Sequence, residues 1–317
     1  MCNKSDISVT ILIPVYGVER YIGECAESLF KQTYADIEYV FVDDCTPDAS
    51  ISVLMSVLGQ YPERRERVHI VRHEHNMGLG AARCTGLKHV KTDCFCIVDS
   101  DDILPVDAIE TLVTRMQETK ADIVEGAYQN YGGGSLGSVV VPFHGSQSDY
   151  QRKLLCQNVV KNNVWAKLYR TYVTERITDL FEPGIDYAED YSATTRLAMV
   201  TQRAWTDKVV YHYRTDNASS YTSGMSRKNV ISCLKATNRI LKFCHWRGHL
   251  PLAAEVGMLN MYRVCRRNGV AQDEADELLR YVPQNILATV VFHLFHSGTV
   301  GYYAGDAIYR ILRLICA

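Results

Sequence analysis

The side chains of this sequence that could do chemistry are mostly acidic, and they fall in short clusters. Asp99-Ser100-Asp101-Asp102 sets two carboxylates two positions apart, Asp43-Asp44 sets two side by side, and Glu189-Asp190 forms a further pair. In extended backbone, side chains two apart point the same way, so Asp99 and Asp101 can face one ligand. Hard divalent cations such as Mn²⁺ and Mg²⁺ take carboxylate and phosphate oxygens, so this pair is a candidate metal site. Two of these three clusters also have a bland reading. A D-x-D run serves equally as a solvated turn that caps the next helix, and Asp190 serves equally as the N-cap of YSATTRLAMV.

The elements around these clusters decide between such readings. The run 8–15 (SVTILIPV) is almost continuously apolar, as expected of a strand buried on both faces. Further strands are predicted at 37–42, which runs into Asp43-Asp44, at 68–71, ahead of the polar stretch His73 to Asn76, and at 94–98, which runs into Asp99. A fifth is predicted at 122–125. Helical patterns separate them, around Ile22 to Leu29, at 49–58, at 78–90 after a glycine-bearing turn, and from Pro105 to about 118. Strands alternating with helices in this way predict an α/β fold, a mostly parallel sheet with helices on both faces. Ligands of such sheets bind beyond the carboxyl ends of the strands, so all three polar strand ends are expected at one rim. The rhythm breaks at Tyr128. A glycine-rich turn at 132–137 suggests a hairpin into 139–141, and 143–223 is mixed and aromatic. Helices are expected at 228–246, 250–267, 273–281 and 286–314.

Composition narrows the function classes. The 317 residues are 47% hydrophobic and carry 34 basic against 36 acidic side chains. That is ample material for a core, and the balanced charge argues against a partner held by nucleic-acid phosphates. The 11 cysteines form no C-x-x-C pair and read as reduced thiols of a cytoplasmic chain. No signal peptide is expected at the amino terminus, and no stretch reaches the roughly 20 apolar residues of a membrane span. Two decoys fail. Gly78-x-Gly80-x-x-Arg83 lacks the third glycine of a dinucleotide fingerprint, and His69, His73 and His75 fit no established zinc spacing.

Several of these segments agree in order with a known family. ILIPVYGVERYI, VFVDDCTPDAS, NMGLGAARCTGL and CFCIVDSDD, followed by VWAKLYR, Glu189-Asp190-Tyr191 and VVYHYR, resemble the inverting glycosyltransferases of family 2, bacterial polysaccharide and cell-wall type. The resemblance covers about residues 7 to 220. It implies the GT-A fold for the catalytic domain; the change of composition near Gly224 sets the expected bounds, 1–224 as catalytic domain (a nucleotide-sugar half to about 130, an acceptor half over 131–224) and 225–317 as a helical region. It implies transfer of a hexose or N-acetylhexosamine from a UDP-sugar to a glycan or lipid-linked acceptor, aided by Mn²⁺ or Mg²⁺.

On that resemblance Pro14, Val15, Tyr16 and Glu19 would line the nucleotide site. Either Asp43 or Asp44 would accept a hydrogen bond from the uracil ring. Asn76 and Arg83 would contact the uridine or its diphosphate. Asp99 and Ser100 would lie near the ribose, and Asp101 would hold the metal, with Asp99 and His212 as further candidate ligands. Asp190 would be the general base, with Glu189 beside it. Gly17 and Cys45 depart from the family's usual Asn and Gly. Arg214 and Ser220 are candidate diphosphate contacts, Lys167 is expected at the surface, and Trp165 and Tyr169, at i and i+4, are expected in the core. The carboxy-terminal helices have three readings: packing on the catalytic domain, contact with the inner face of the membrane, or a homodimer contact. Two other readings of the whole chain stay open: a nucleotidyltransferase on a similar sheet, and a non-catalytic nucleotide-sugar-binding protein.

Overall fold

A computed structural model describes residues 7–157, 160–217, 225–247 and 251–316. The chain divides into two compact units. The first comprises Met1–Pro142, Asn163–Gly184 and Val200–Ser220, and the second Phe143–Asn162, Ile185–Met199 and Tyr221–Ala317.

In the first unit, β1 (Val9–Val15) is buried along its whole length. It pairs in parallel with β2 (Ile37–Asp43) on one side and β4 (Cys94–Ile97) on the other, and β2 pairs in parallel with β3 (Val68–Arg72). Val15 stands opposite Asp43, which stands opposite Arg72, so the acidic and polar strand ends do share one rim. Alternation along the strands assigns the helices to faces. Ile11, Ile13, Tyr39 and Phe41 pack with α1 (Ile22–Phe30), α2 (Ser50–Leu58) and α4 (Ala108–Thr119). Val40 and Val42 meet Ala82 of α3 (Leu79–Lys88) on the opposite face. There α3 lies so close that a β-carbon on Gly86 would fall 2.4 Å from Leu12.

The sheet continues through the segment whose sequence is mixed. β5 (Ile123–Gly132) and β6 (Ser135–Val140) form the expected hairpin. β7 (Lys167–Arg170) inserts antiparallel between β4 and β5, and β8 (Arg203–Arg214) pairs in parallel with β5. A short helix, α6 (Val173–Arg176), follows β7. Among the described residues the eight strands make one sheet, in the order β3-β2-β1-β4-β7-β5-β6 with β8 on β5. Trp165 is buried, stacked on Tyr211 and Tyr213 at 4.6 and 5.1 Å between ring centres. Tyr169 is buried on β7, in the core as expected. Lys167 is not at the surface. Its Nζ donates to Asn163 O at 2.5 Å and lies 3.3 Å from Glu125, which also holds Arg203 at 3.1 Å. A carboxylate on the neighbouring strand makes burial of that ammonium tolerable.

The second unit is helical: α5 (Gln147–Leu155), α7 (Glu189–Ala198), α8 (Arg227–Trp246), α9 (Leu252–Arg267), α10 (Gln272–Leu279), α11 (Ile286–His296) and α12 (Gly298–Cys316). Its core gathers Leu155, Tyr191, Leu234, Val256, Phe295 and Tyr309. The expected helix 286–314 breaks at Gly298, whose φ of +86° suits glycine, and Phe295 then stacks on Tyr302 at 5.1 Å. Residues 143–162 and 185–199 pack with these helices, so the division differs from the boundary expected near 224. The reason is close contact: Tyr191 donates to Leu155 O at 3.2 Å, and a β-carbon on Gly257 would fall 2.2 Å from that oxygen. Among the described residues no helix is long and apolar enough to cross a membrane.

Candidate active site

The rim of the first unit is knit from loops. After β2 the Asp44 N–H donates to Val15 O, and the chain turns through Cys45 at φ +55°, where the family's usual glycine would sit without strain. Asp43 is buried. One of its oxygens accepts from Thr46 N–H at 2.8 Å and the other lies 3.3 Å from Arg72 Nε. Thr46 Oγ1 accepts from Gly17 N–H at 2.8 Å and donates to Asp48, which also accepts from the N–H of Glu19 at 2.9 Å and from the Ser50 hydroxyl. Burial would raise the Asp48 carboxyl, but the hydrogen bonds from Ser50, Glu19 and Thr46 outweigh it and hold the group below the usual range. Glu19 in turn accepts from Ala49 N–H at 3.0 Å. Pro14 and Val15 are buried in β1, and Tyr16 stands half-exposed beyond them.

Asp44 is also buried and turned inward. Oδ1 accepts from His73 Nδ1 at 2.7 Å and Met77 N–H at 2.8 Å, and Oδ2 accepts from Gly78 N–H at 2.8 Å. His73 Nε2 then meets the Thr85 hydroxyl at 2.8 Å. Each of the four oxygens in Asp43-Asp44 therefore has a partner in the chain, although one of the two was expected to read a base. Asn76, in the loop that Asp44 organises, is exposed.

The loop after β4 is held differently. Arg83 of α3, buried over the Phe181 ring at 5.6 Å, reaches Asp99 Oδ1 at 2.9 Å. Asp99 N–H donates to the Tyr211 hydroxyl at 3.1 Å. Asp102 is buried, and its oxygens accept from the Tyr211 hydroxyl at 2.6 Å and from Arg214 N–H at 2.7 Å. Burial, then the charges of Asp101 and Asp99, push the Asp102 carboxyl well above its usual range. Arg214, between the rings of Tyr21 and Tyr131, donates to Asp101 O at 2.6 Å and pairs with Glu24 at 2.6 Å. Asp101 Oδ2 accepts from Asn217 at 2.7 Å, and among the described residues Oδ1 accepts nothing. Ser100 is buried between them.

These donors fit a hard cation only in part on their own. Asp101 offers an open carboxylate oxygen with Asp99 two residues away, the donor chemistry that Mg²⁺ or Mn²⁺ takes together with phosphate and water. Among the described residues no three His, Cys, Asp or Glu side chains are grouped to hold a metal, so Asp99, Asp101 and His212 form no such set. His212 is half-buried, its imidazole lowered by that burial, and its backbone pairs with Ile103.

In the second unit Glu189 and Asp190 open α7, after Ala188 at φ +66°. Asp190 therefore lies inside the first turn rather than at the N-cap. Glu189 is buried and Asp190 half-buried. Ser220 lies outside the described residues. The sequence reading missed Asp102, Tyr211 and Asp48 as parts of the site. The doubled acid after Asp101 and the Tyr-x-Tyr alternation of YHYR were the available signals.

The model of glycosyl transferase family 2 matches residues 10–177, more than half of the chain. The chain belongs to glycosyl transferase family 2. The family 2 match holds the three rim loops and ends before Asp190, Tyr211 and Arg214. Glycosyltransferase GlyA of Streptococcus pneumoniae serotype 4 is 30% identical over 224 residues, 66% of this chain and 31% of that protein. The uncharacterized glycosyltransferase EpsJ of Bacillus subtilis is 31% identical over 226 residues, 68% of this chain and 62% of that one. This family 2 chain thus spans from about a third to under two thirds of these relatives. A crystal structure of S. aureus TarS in complex with UDP superposes with a TM-score of 0.67 at 18% identity, covering 97% of this chain and 90% of that one. The fold is GT-A.

Proposed function

We propose that the chain transfers a hexose or N-acetylhexosamine from a UDP-sugar to a glycan or lipid-linked acceptor, with inversion at the anomeric carbon. The observation that carries this reading is the open oxygen of Asp101 at the end of β4, on a loop whose other acids are engaged by the chain. Asp101, with Asp99 beside it, would hold Mn²⁺ or Mg²⁺. When bound, the cation supplies charge neutralisation for the departing diphosphate. The chain's own parts bind and orient. Arg214 fixes the Asp101 backbone, Tyr211 and Asp102 hold the loop to β8, and the buried Arg83 sets the position of Asp99. Pro14, Val15 and the half-exposed Tyr16 would flank the nucleoside, and the loops set by Asp43 and Asp44 would shape its floor. Asn76, exposed on one of those loops, is free to approach the uridine.

Asp190 would take the proton of the incoming hydroxyl, with Glu189 beside it. One base and one leaving group give a single displacement and need no nucleophile on the protein. UDP bound to a protein of the same fold, and glycosyltransferases among the sequence relatives, support the donor class.

Thermal shift with UDP, NAD and ATP, with and without Mn²⁺, tests the reading. Metal-dependent stabilisation by UDP alone is expected, and equal stabilisation by ATP would overturn the donor class. Asp190→Asn should keep UDP binding and lose about 10²–10⁴-fold in transfer. A near-normal rate would assign the base elsewhere.

A further inference from the structure

Among the described residues, one face of helix α12 has no partner. Tyr302, Gly305, Tyr309, Leu312 and Cys316 are turned into the second unit's core. Val300, Tyr303, Ala304, Ala307, Ile311 and Leu314 recur at helical spacing on the exposed side, with Ile315 beside them. Val300 is 85% exposed, Leu314 77% and Ile315 63%. At 1.5 Å per residue this strip runs for about 20 Å. The preceding helix adds Ile286, Leu287 and Val290 to the exposed apolar surface. Single exposed apolar residues need no explanation, but a whole helix face does.

Charge identifies the occupant. Arg310 is exposed beside the strip, and the Arg266 guanidinium sits 4.0 Å over the Tyr302 ring and 5.9 Å from Tyr303. Asp306 is the one acid between 286 and 316, and it is enclosed by Arg263 and Arg310. A second copy docked through the same strip would bring these arginines together, and the one carboxylate that 286–316 carries is already held by Arg263 and Arg310. An anionic bilayer surface answers both features, since it accepts the apolar strip at the acyl boundary and pairs the arginines with lipid phosphates. The aliphatic stem of Arg310 can lie along the strip while its head reaches that layer. We infer that α12 is an in-plane anchor, through which the chain binds an anionic membrane surface without spanning it.

Co-sedimentation of the full chain with vesicles tests this. Binding is expected to phosphatidylcholine vesicles containing phosphatidylglycerol, weakened by salt, and absent with phosphatidylcholine alone. Ile311→Glu with Leu314→Glu changes two exposed side chains and should lower the bound fraction about tenfold, with the circular dichroism unchanged. Arg266→Gln with Arg310→Gln should lower it severalfold while leaving the apolar strip intact. No binding to the mixed vesicles at low salt, or undiminished binding by the Glu pair, would overturn the inference. So would light scattering that finds a dimer which the Glu pair converts to monomer, because the face would then belong to a second copy.

Discussion

β2 and β4 flank β1 and both end in acids, yet the two loops spend those acids differently. After β2, Asp43 and Asp44 accept hydrogen bonds from Thr46, His73, Met77 and Gly78, and Arg72 covers the remaining oxygen. After β4, Asp102 takes that structural duty and Asp99 is pinned by Arg83, while Asp101 keeps an oxygen open. A carboxylate saturated by backbone N–H groups holds a loop's shape, and one with an open lone pair can serve a ligand. Residue type alone does not separate the two; the count of donors already spent does.

Three substitutions test that contrast. Asp101→Asn should remove several kcal/mol of transition-state stabilisation, about 10²–10³-fold in transfer rate, while the urea midpoint stays near that of the wild type. An equal loss of stability would make Asp101 a scaffold like Asp44. Asp44→Ala should act the opposite way. It strands His73 and two backbone N–H groups, costing about 3 kcal/mol in urea unfolding, with a raised donor KM and a smaller effect on kcat. An unmoved midpoint would break the comparison. Tyr211→Phe removes a hydroxyl shared by Asp102 and Asp99 N–H and should cost about 1–3 kcal/mol. Its transfer rate should fall less than that of Asp101→Asn, because the open Asp101 oxygen is untouched. A larger fall would mean that loop position, not the open oxygen, controls the chemistry.

Much of the rim was legible in the sequence, because apolar runs ending in acids are a local signal and a parallel sheet converts it into a shared edge. What the acids do there was not legible. Whether Asp44 meets a nucleobase or its own chain depends on His73, Met77 and Gly78, which are 29 to 34 positions away. β7 and β8 were harder still. β7 has four residues and pairs across long separations, and β8 mixes charged, aliphatic and aromatic side chains, so neither carries a clean period along its whole length. Lys167 went astray for the same reason: its burial rests on Glu125, on a strand distant in sequence. The break at Gly298 turned on a single residue inside an otherwise helical pattern.

Besides Arg83, the grips on the Asp99–Asp102 loop from Tyr211 and Arg214 come from β8, more than a hundred residues downstream. During synthesis the amino-terminal strands can pair long before Tyr211 and Arg214 emerge, and closing so long a loop is slow. The nascent chain would therefore carry an almost finished sheet with a slack catalytic edge, and competence would arrive with one late strand rather than growing in step with length.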